Sequence, residues 1–166
     1  MSHFKALAAA SLLAFIPAAH AADAPASRFS PRLSLDLNIA SVHTEAWARR
    51  QLNQDNPGLG IEYQASPDWS AAAGFYRNSY RRTSAYALGV WTPWHIDLPA
   101  GLTASAGFAA GLVSGYRRPE VPTEPLAGGA VLRLRSAHGF GINLLAVPNT
   151  QSGSGFIGLM LVAPIN

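Results

Sequence analysis

Leu33-Ser34-Leu35-Asp36-Leu37-Asn38-Ile39-Ala40 alternates residue by residue between apolar and polar side chains. On a strand, this period of two puts Leu33, Leu35, Leu37 and Ile39 on one face and Ser34, Asp36 and Asn38 on the other. The pattern suits a barrel wall with lipid outside and a polar lumen inside, although a half-buried strand of a soluble sandwich looks the same. Repetition separates the two. Similar runs recur at 58–64, 70–78, 84–91, 102–113, 126–135, 140–147 and 156–162, each bounded by Gly, Pro, Ser, Asn or Asp.

The separators between these runs alternate in character. Ser66-Pro67-Asp68-Trp69 and Ser136-Ala137-His138-Gly139 are tight, and 92–101 is a moderate turn. The stretches 43–57, 78–83, 114–125 and 148–155 are richer in charged or flexible residues and mostly longer. An even number of antiparallel strands with short turns at one end and larger loops at the other predicts an all-β fold, an eight-stranded antiparallel up-and-down transmembrane β-barrel.

Composition agrees with this plan. One positive residue, Lys5, precedes an apolar run and a small-x-small site at Ala19-His20-Ala21, which reads as a secretory leader over 1–21 ahead of a barrel domain over 22–166. Charged residues are only 13% of the chain, yet after the leader no apolar stretch is long enough to cross a bilayer as a helix. An exported chain this apolar is either a secreted globular core or a closed barrel. No cysteine is present, so no disulfide frame exists.

After the leader every basic residue is Arg, and Arg49, Arg50, Arg77, Arg81, Arg82, Arg117 and Arg118 fall at the loop end. A planar, permanently charged fork pairs phosphate in bidentate fashion, which makes Arg77, Arg81 and Arg82 candidate contacts to a phosphorylated lipid; a solvated surface is the plainer alternative. Trp47, Trp69, Trp91 and Trp94 lie near strand ends, where interfacial aromatics sit. No nucleotide loop, metal-ligand spacing or nucleophile elbow occurs.

Three histidines follow the leader, and of these His95 and His138 are expected in the inner turns, leaving His43 at the loop end. Ser79 follows the third strand at the same rim, with Asn78 beside it. In a small barrel the ends of strands one and three are close enough for side chains to converge across the mouth. A His beside a hydroxyl can act as general base in acyl transfer, and an Asn amide can orient the base or donate to an oxyanion. All three residue types are also ordinary in turns and loops.

From His43 onward the chain resembles the lipid A palmitoyltransferases, the outer-membrane PagP enzymes. In that family a His closes the first strand, a Tyr-Asn-Glu segment leads into a glycine-rich second strand, and an Asp-Ser pair ends the third. A proline-rich loop then closes with Pro-Leu-Ala, and a hydrophobic-Pro-Gly-Thr segment ends the seventh strand. Here the matching residues are His43, Leu52-Asn53-Gln54 with Gly58-Leu59-Gly60, Asn78-Ser79, Pro125-Leu126-Ala127 and Val147-Pro148-Asn149-Thr150.

The resemblance implies an outer-membrane transferase that moves a palmitoyl or similar chain from a glycerophospholipid to lipid A. His43 and Ser79 carry over as catalytic residues, and Asn78 stands where the family has Asp. A neutral Asn cannot raise the basicity of His43 through charge. Pro125 and Pro148 lack ladder donors and are expected to let neighbouring strands part as a lateral gate, with plain loop termination as the alternative. In the family a glycine before a Trp in the fourth strand sets the floor of the acyl pocket; here Val90 precedes Trp91, with Gly89 one place earlier. If Val90 points inward it shortens the pocket by roughly a couple of methylenes, whereas a one-residue slip puts Gly89 inside.

The expected partners are lipid A or lipopolysaccharide, a glycerophospholipid acyl donor and the outer membrane. No cofactor, metal or nucleic acid is expected, and the protein is expected to act as a monomer. Two other functions fit the same features: a non-catalytic structural or adhesive barrel, and a lipid A esterase that releases the chain to water.

Overall fold

The alternation in 33–40 becomes the two faces of β1 (Arg32–His43), the first of eight strands. It is followed by β2 (Asp55–Gln64), β3 (Trp69–Arg77), β4 (Thr83–Leu98), β5 (Leu102–Val113), β6 (Leu126–Ser136), β7 (Gly141–Val147) and β8 (Phe156–Pro164). In this computed structural model, which describes residues 30–121, 123–150 and 153–165, each strand pairs antiparallel with its chain neighbours. β1 also pairs with β8, which closes the sheet into an up-and-down barrel. The leader expected over 1–21 lies outside the described residues.

Burial runs opposite to that of a soluble domain. Leu37, Ile39, Leu59, Ile61, Phe75, Phe108, Leu132 and Ile157 are exposed on the outer face, while Asp36, Glu62, Ser70, Arg133 and Asn143 are buried inside. Large exposed apolar side chains around buried charges are what a period-two pattern gives when its apolar face points out.

Two bulges set which side chains reach the interior, and neither is visible in the alternation. In β1, Asn38 pairs with Met160 but Ala40 pairs with Leu159, so β1 passes two residues while β8 passes one. The extra residue flips the parity of the strand. Val42, which a regular strand would turn inward with Asp36, is 58% exposed, and His43 is 2% exposed. Without the bulge His43 would share the outer face with Leu37 and Ile39.

The second bulge lies between Trp91 and Trp94 of β4, where Trp91 pairs with Phe108 and Trp94 with Ala106. Pro93, which lacks a ladder donor, sits within it, the position in a sheet where Pro is tolerated. The bulge carries β4 on to Leu98, so the turn expected over 92–101 shrinks to the short 3-10 segment Pro99–Gly101. His95 is therefore a strand residue, hydrogen-bonded to Asp68 at 2.8 Å. The first loop also contains a short helix absent from the sequence expectations, α1 (Ala46–Gln51).

The interior is divided into a polar floor and an apolar layer above it. Glu62 accepts from Arg133 at 2.6 Å and from Asn143 at 3.3 Å, and lies 3.7 Å from Arg135. Arg133 also donates to Ser70 Oγ at 2.8 Å, and Arg135 to Asn143 Oδ1 at 2.7 Å. Over this network Val90, Ala109 and Val131 form a small apolar cluster with Leu88 and Leu145 packed against it. The Tyr86 ring crosses the lumen at Gly60, where a Cβ would come within 2.1 Å of the phenol oxygen. Glycine at that point is what lets the phenol end of the ring reach the wall.

Candidate active site at the loop end

Above the apolar layer the barrel encloses a cavity of about 480 Å³, within the usual range for small-molecule sites of about 300–1,000 Å³. Its wall is largely apolar, with Leu88, Ala109, Leu145, Val147 and Met160 among its residues, and its upper rim includes His43 and Ser79. Along β1 the chamber runs from Asn38 to His43, about 15 Å of strand, or roughly 12 Å of depth after tilt. An extended chain advances about 1.2 Å per bond, so the depth accepts on the order of ten carbons.

His43 is the last residue of β1 and points inward because of the bulge four residues earlier. Its ring lies 5.9 Å from that of Phe156, its carbonyl accepts from Arg49 at 2.8 Å, and its Nδ1 is buried without a hydrogen-bond partner among the described residues. Ser79 opens the turn after β3, is buried on the same chamber wall, and accepts through its carbonyl from the Asn53 amide at 2.9 Å. His43 and Ser79 thus both line one largely apolar space.

What joins their strands is a residue that sequence reasoning missed. Asn56, at the start of β2, accepts from Ser41 Oγ at 2.7 Å and donates to the Arg77 carbonyl at 2.8 Å. One buried amide thereby ties the end of β1 to the end of β3 across the strand between them. The sequence signal was slight: an Asn ahead of Pro57-Gly58 reads as turn chemistry.

Asn78 is placed differently from Ser79. Its side chain is wholly buried but lies off the chamber wall, engaged with the turn and the third loop. Nothing in its geometry directs it at the imidazole. Val90 faces inward at 4% exposure, one layer below the chamber, whereas Gly89 faces out, so the register turns Val90 and not Gly89 toward the lumen. Leu88 and Leu145, which line the chamber, pack against it from above.

Of the three candidate phosphate contacts, Arg77 and Arg81 are exposed at the rim. Arg82 is half-buried: its Nε donates to the Gly115 carbonyl at 2.8 Å, it pairs with Glu120, and its guanidinium lies 5.3 Å over the Tyr80 ring. Partial burial pushes the Glu120 carboxyl upward. The hydrogen bonds from Arg82 and the Arg117 amide, with both guanidinium charges, outweigh that and hold it below the usual carboxylate value.

Pro125 and Pro148 flank a gap in the ladder. β6 pairs with β7 only from Ala130↔Ala146 to Arg135↔Gly141, so 126–129 has no β7 partner at chamber height. Leu126, Ala127, Gly128, Pro125 and Pro148 all line the chamber there. On the other side the seam to β5 stays closed as far as the Val113 amide on the Pro125 carbonyl at 2.8 Å. Among the described residues no group of three or more His, Asp or Glu is placed to hold a metal ion.

Fold and site together define a closed antiparallel barrel with a polar floor, an apolar chamber above it, and a buried imidazole and hydroxyl at the mouth. No protein-family model matches the chain, and a search of curated proteins finds no match.

Proposed function

We propose that this protein is an outer-membrane acyltransferase, a divergent relative of the PagP enzymes, that moves a palmitoyl or similar chain from a glycerophospholipid to lipid A. The observation that carries the reading is the placement of His43 and Ser79, from non-adjacent strands, on the wall of one apolar chamber that takes on the order of ten carbons of an acyl chain. The exposed apolar outer face supports a membrane setting, as do Trp69, Trp91 and Trp94 near one end, where Trp69 stacks on Trp91 at 5.9 Å and Trp94 lies tilted 6.2 Å from Trp91. The unpaired stretch between β6 and β7 gives a chain sideways entry, and exposed Arg77 and Arg81 offer forks for phosphate at the rim.

In this reading the donor chain lies in the chamber with its ester near the mouth. Neutral His43 takes the proton of the attacking hydroxyl as it bonds to the ester carbon, and returns it to the departing lysophospholipid oxygen. The acyl–oxygen bond to the donor breaks and one to the acceptor forms. Ser79 supplies its hydroxyl beside the reacting carbonyl.

One observation favours a second reading. His43 Nδ1 has no carboxylate partner and Asn78 is turned away, which suits a barrel that binds lipid without transferring it. Mass spectrometry of lipid A from cells with and without the protein separates the readings: an added acyl chain supports transfer, an unchanged mass supports the non-catalytic barrel, and a lost chain supports an esterase.

The floor gives a prediction of its own. A void of about 30 Å³ lies beneath the chamber, bordered by Val90 and Tyr86. Val90→Gly should enlarge this void, let Leu88 and Leu145 settle lower and shift the preferred donor chain longer by roughly a couple of methylenes. The mass added to lipid A from mixed-chain donors reads this directly; an unchanged chain distribution would place the ruler elsewhere.

A further inference from the structure

Asn78 uses every hydrogen-bonding position of its amide, and the pattern needs both a donor and an acceptor. On the oxygen side, Oδ1 accepts from the Tyr80 amide at 2.9 Å and the Arg82 amide at 3.0 Å, which closes the turn that carries Ser79. On the nitrogen side, Nδ2 donates to Ser84 Oγ and to the Gly115 carbonyl, both at 3.0 Å. Arg82 Nε donates to the same carbonyl, so both lone pairs of Gly115 are used. Gly115 holds φ +85°, and a Cβ there would meet the Thr83 carbonyl at 2.6 Å, so the third loop approaches this corner as closely as a backbone can.

The hook reaches the chamber through the next residue. Tyr116 follows Gly115, its hydroxyl lies 3.0 Å from that of Tyr76 on β3, and both phenols line the chamber wall. Asn78 therefore grips the turn on one side of Ser79 and the loop that covers the mouth on the other.

We propose that Asn78 is a positioning residue: its amide sets Ser79 on the chamber wall and docks the third loop through the Gly115 carbonyl, a task an ionised carboxylate cannot perform. The role in transfer rests on the acyltransferase reading above; the docking of the loop does not. An ionised carboxylate only accepts. Asp at this position would keep the turn amides satisfied but set an acceptor against the Gly115 carbonyl, at a position wholly buried from solvent. Restoring the family's Asp is thus expected to harm this protein.

The test compares wild type, Asn78→Asp and Asn78→Ser in phospholipid vesicles containing lipid A and a palmitoyl phospholipid donor. Asn78→Ser keeps a short acceptor but cannot span to Gly115, and it substitutes for Asn78→Asp if that variant fails to fold. Three readouts are taken: folded barrel by heat-shifted gel mobility, loop docking by trypsin cleavage between Arg117 and Arg118, and kcat and KM for the donor. The variants should remain folded, show at least tenfold faster cleavage at that bond, and lose at least tenfold in kcat while the donor KM stays within about twofold. A folded Asn78→Asp variant with wild-type kcat, or with the loop still protected, overturns the proposal. Wild type that transfers no chain refutes the acyltransferase reading instead, and the cleavage rates still decide the docking.

Discussion

Ser79→Ala and His43→Ala should each abolish the mass added to lipid A while leaving folded barrel in the membrane. The size of the loss follows from what each group does at the reacting carbonyl. Removing a positioned general base costs about 10²–10⁴ in rate, so transfer without His43 should fall below detection in cells. A hydroxyl that only donates to developing charge is worth about 10²–10³, and one that attacks the ester is worth more. The two roles of Ser79 differ in what accumulates: without lipid A, an attacking Ser79 retains an acyl group that intact-protein mass spectrometry detects. Among the described residues neither side chain has a hydrogen bond that holds a strand, and His43→Ala gives up only a ring contact with Phe156, so both variants should still fold. Transfer that survives both substitutions would remove these residues from the chemistry.

That assignment could be read from the sequence only in part, and the reason lies in register. The eight strands were legible because the outer face is apolar throughout and punctuation marks each turn; 102–113 matches β5 to the residue. The alternation could not report where it breaks. Continuing the period of Leu33, Leu35 and Leu37 places His43 on the outer face, and the single extra residue near Ile39 brings it in. The same kind of break at Pro93 disguised the lower half of β4 as a turn and moved His95 into a strand. Bulges are set by how a strand meets both neighbours, which one strand's own pattern does not contain.

The side chains around the site show the same limit. Val90 could be assigned inward only once its pairing with Ser70 was known, because Gly89 and Val90 are equally compatible with a strand. Asn78 sits beside Ser79 in sequence yet points away from it, as a turn residue capping two downstream amides must. Asn56 is polar, follows a loop and precedes a proline, so nothing local reveals that it joins two strands 36 residues apart at Ser41 and Arg77. Residues that hold the site are harder to read than those that line it, because their partners are distant in the chain.

The largest stability effect is expected beneath the chamber, at Glu62→Leu. Glu62 is the carboxylate between Arg133 and Arg135, and both it and Arg133 have side chains only 5% exposed. Removing it leaves two interior guanidiniums with Asp36 as the one other buried carboxylate among the described residues. An arginine cannot shed its proton to escape burial as a lysine can. Breaking a buried pair from one side typically costs about 3–5 kcal/mol, so the urea midpoint of the barrel in vesicles should fall sharply. Glu62→Leu with Arg133→Leu should recover most of that loss. The double variant again matches one guanidinium to one carboxylate, and Arg135 keeps its bonds to Asn143 and to the Ile142 carbonyl. A double variant no more stable than Glu62→Leu would show that packing around the side chain, and not its charge, holds the floor. The consequence reaches the site because the apolar cluster of Val90, Ala109 and Val131 rests on this network. A collapsed floor would alter chamber depth even where the rim is intact, so the single variant should also broaden the chain lengths transferred, and the compensated pair should narrow them again.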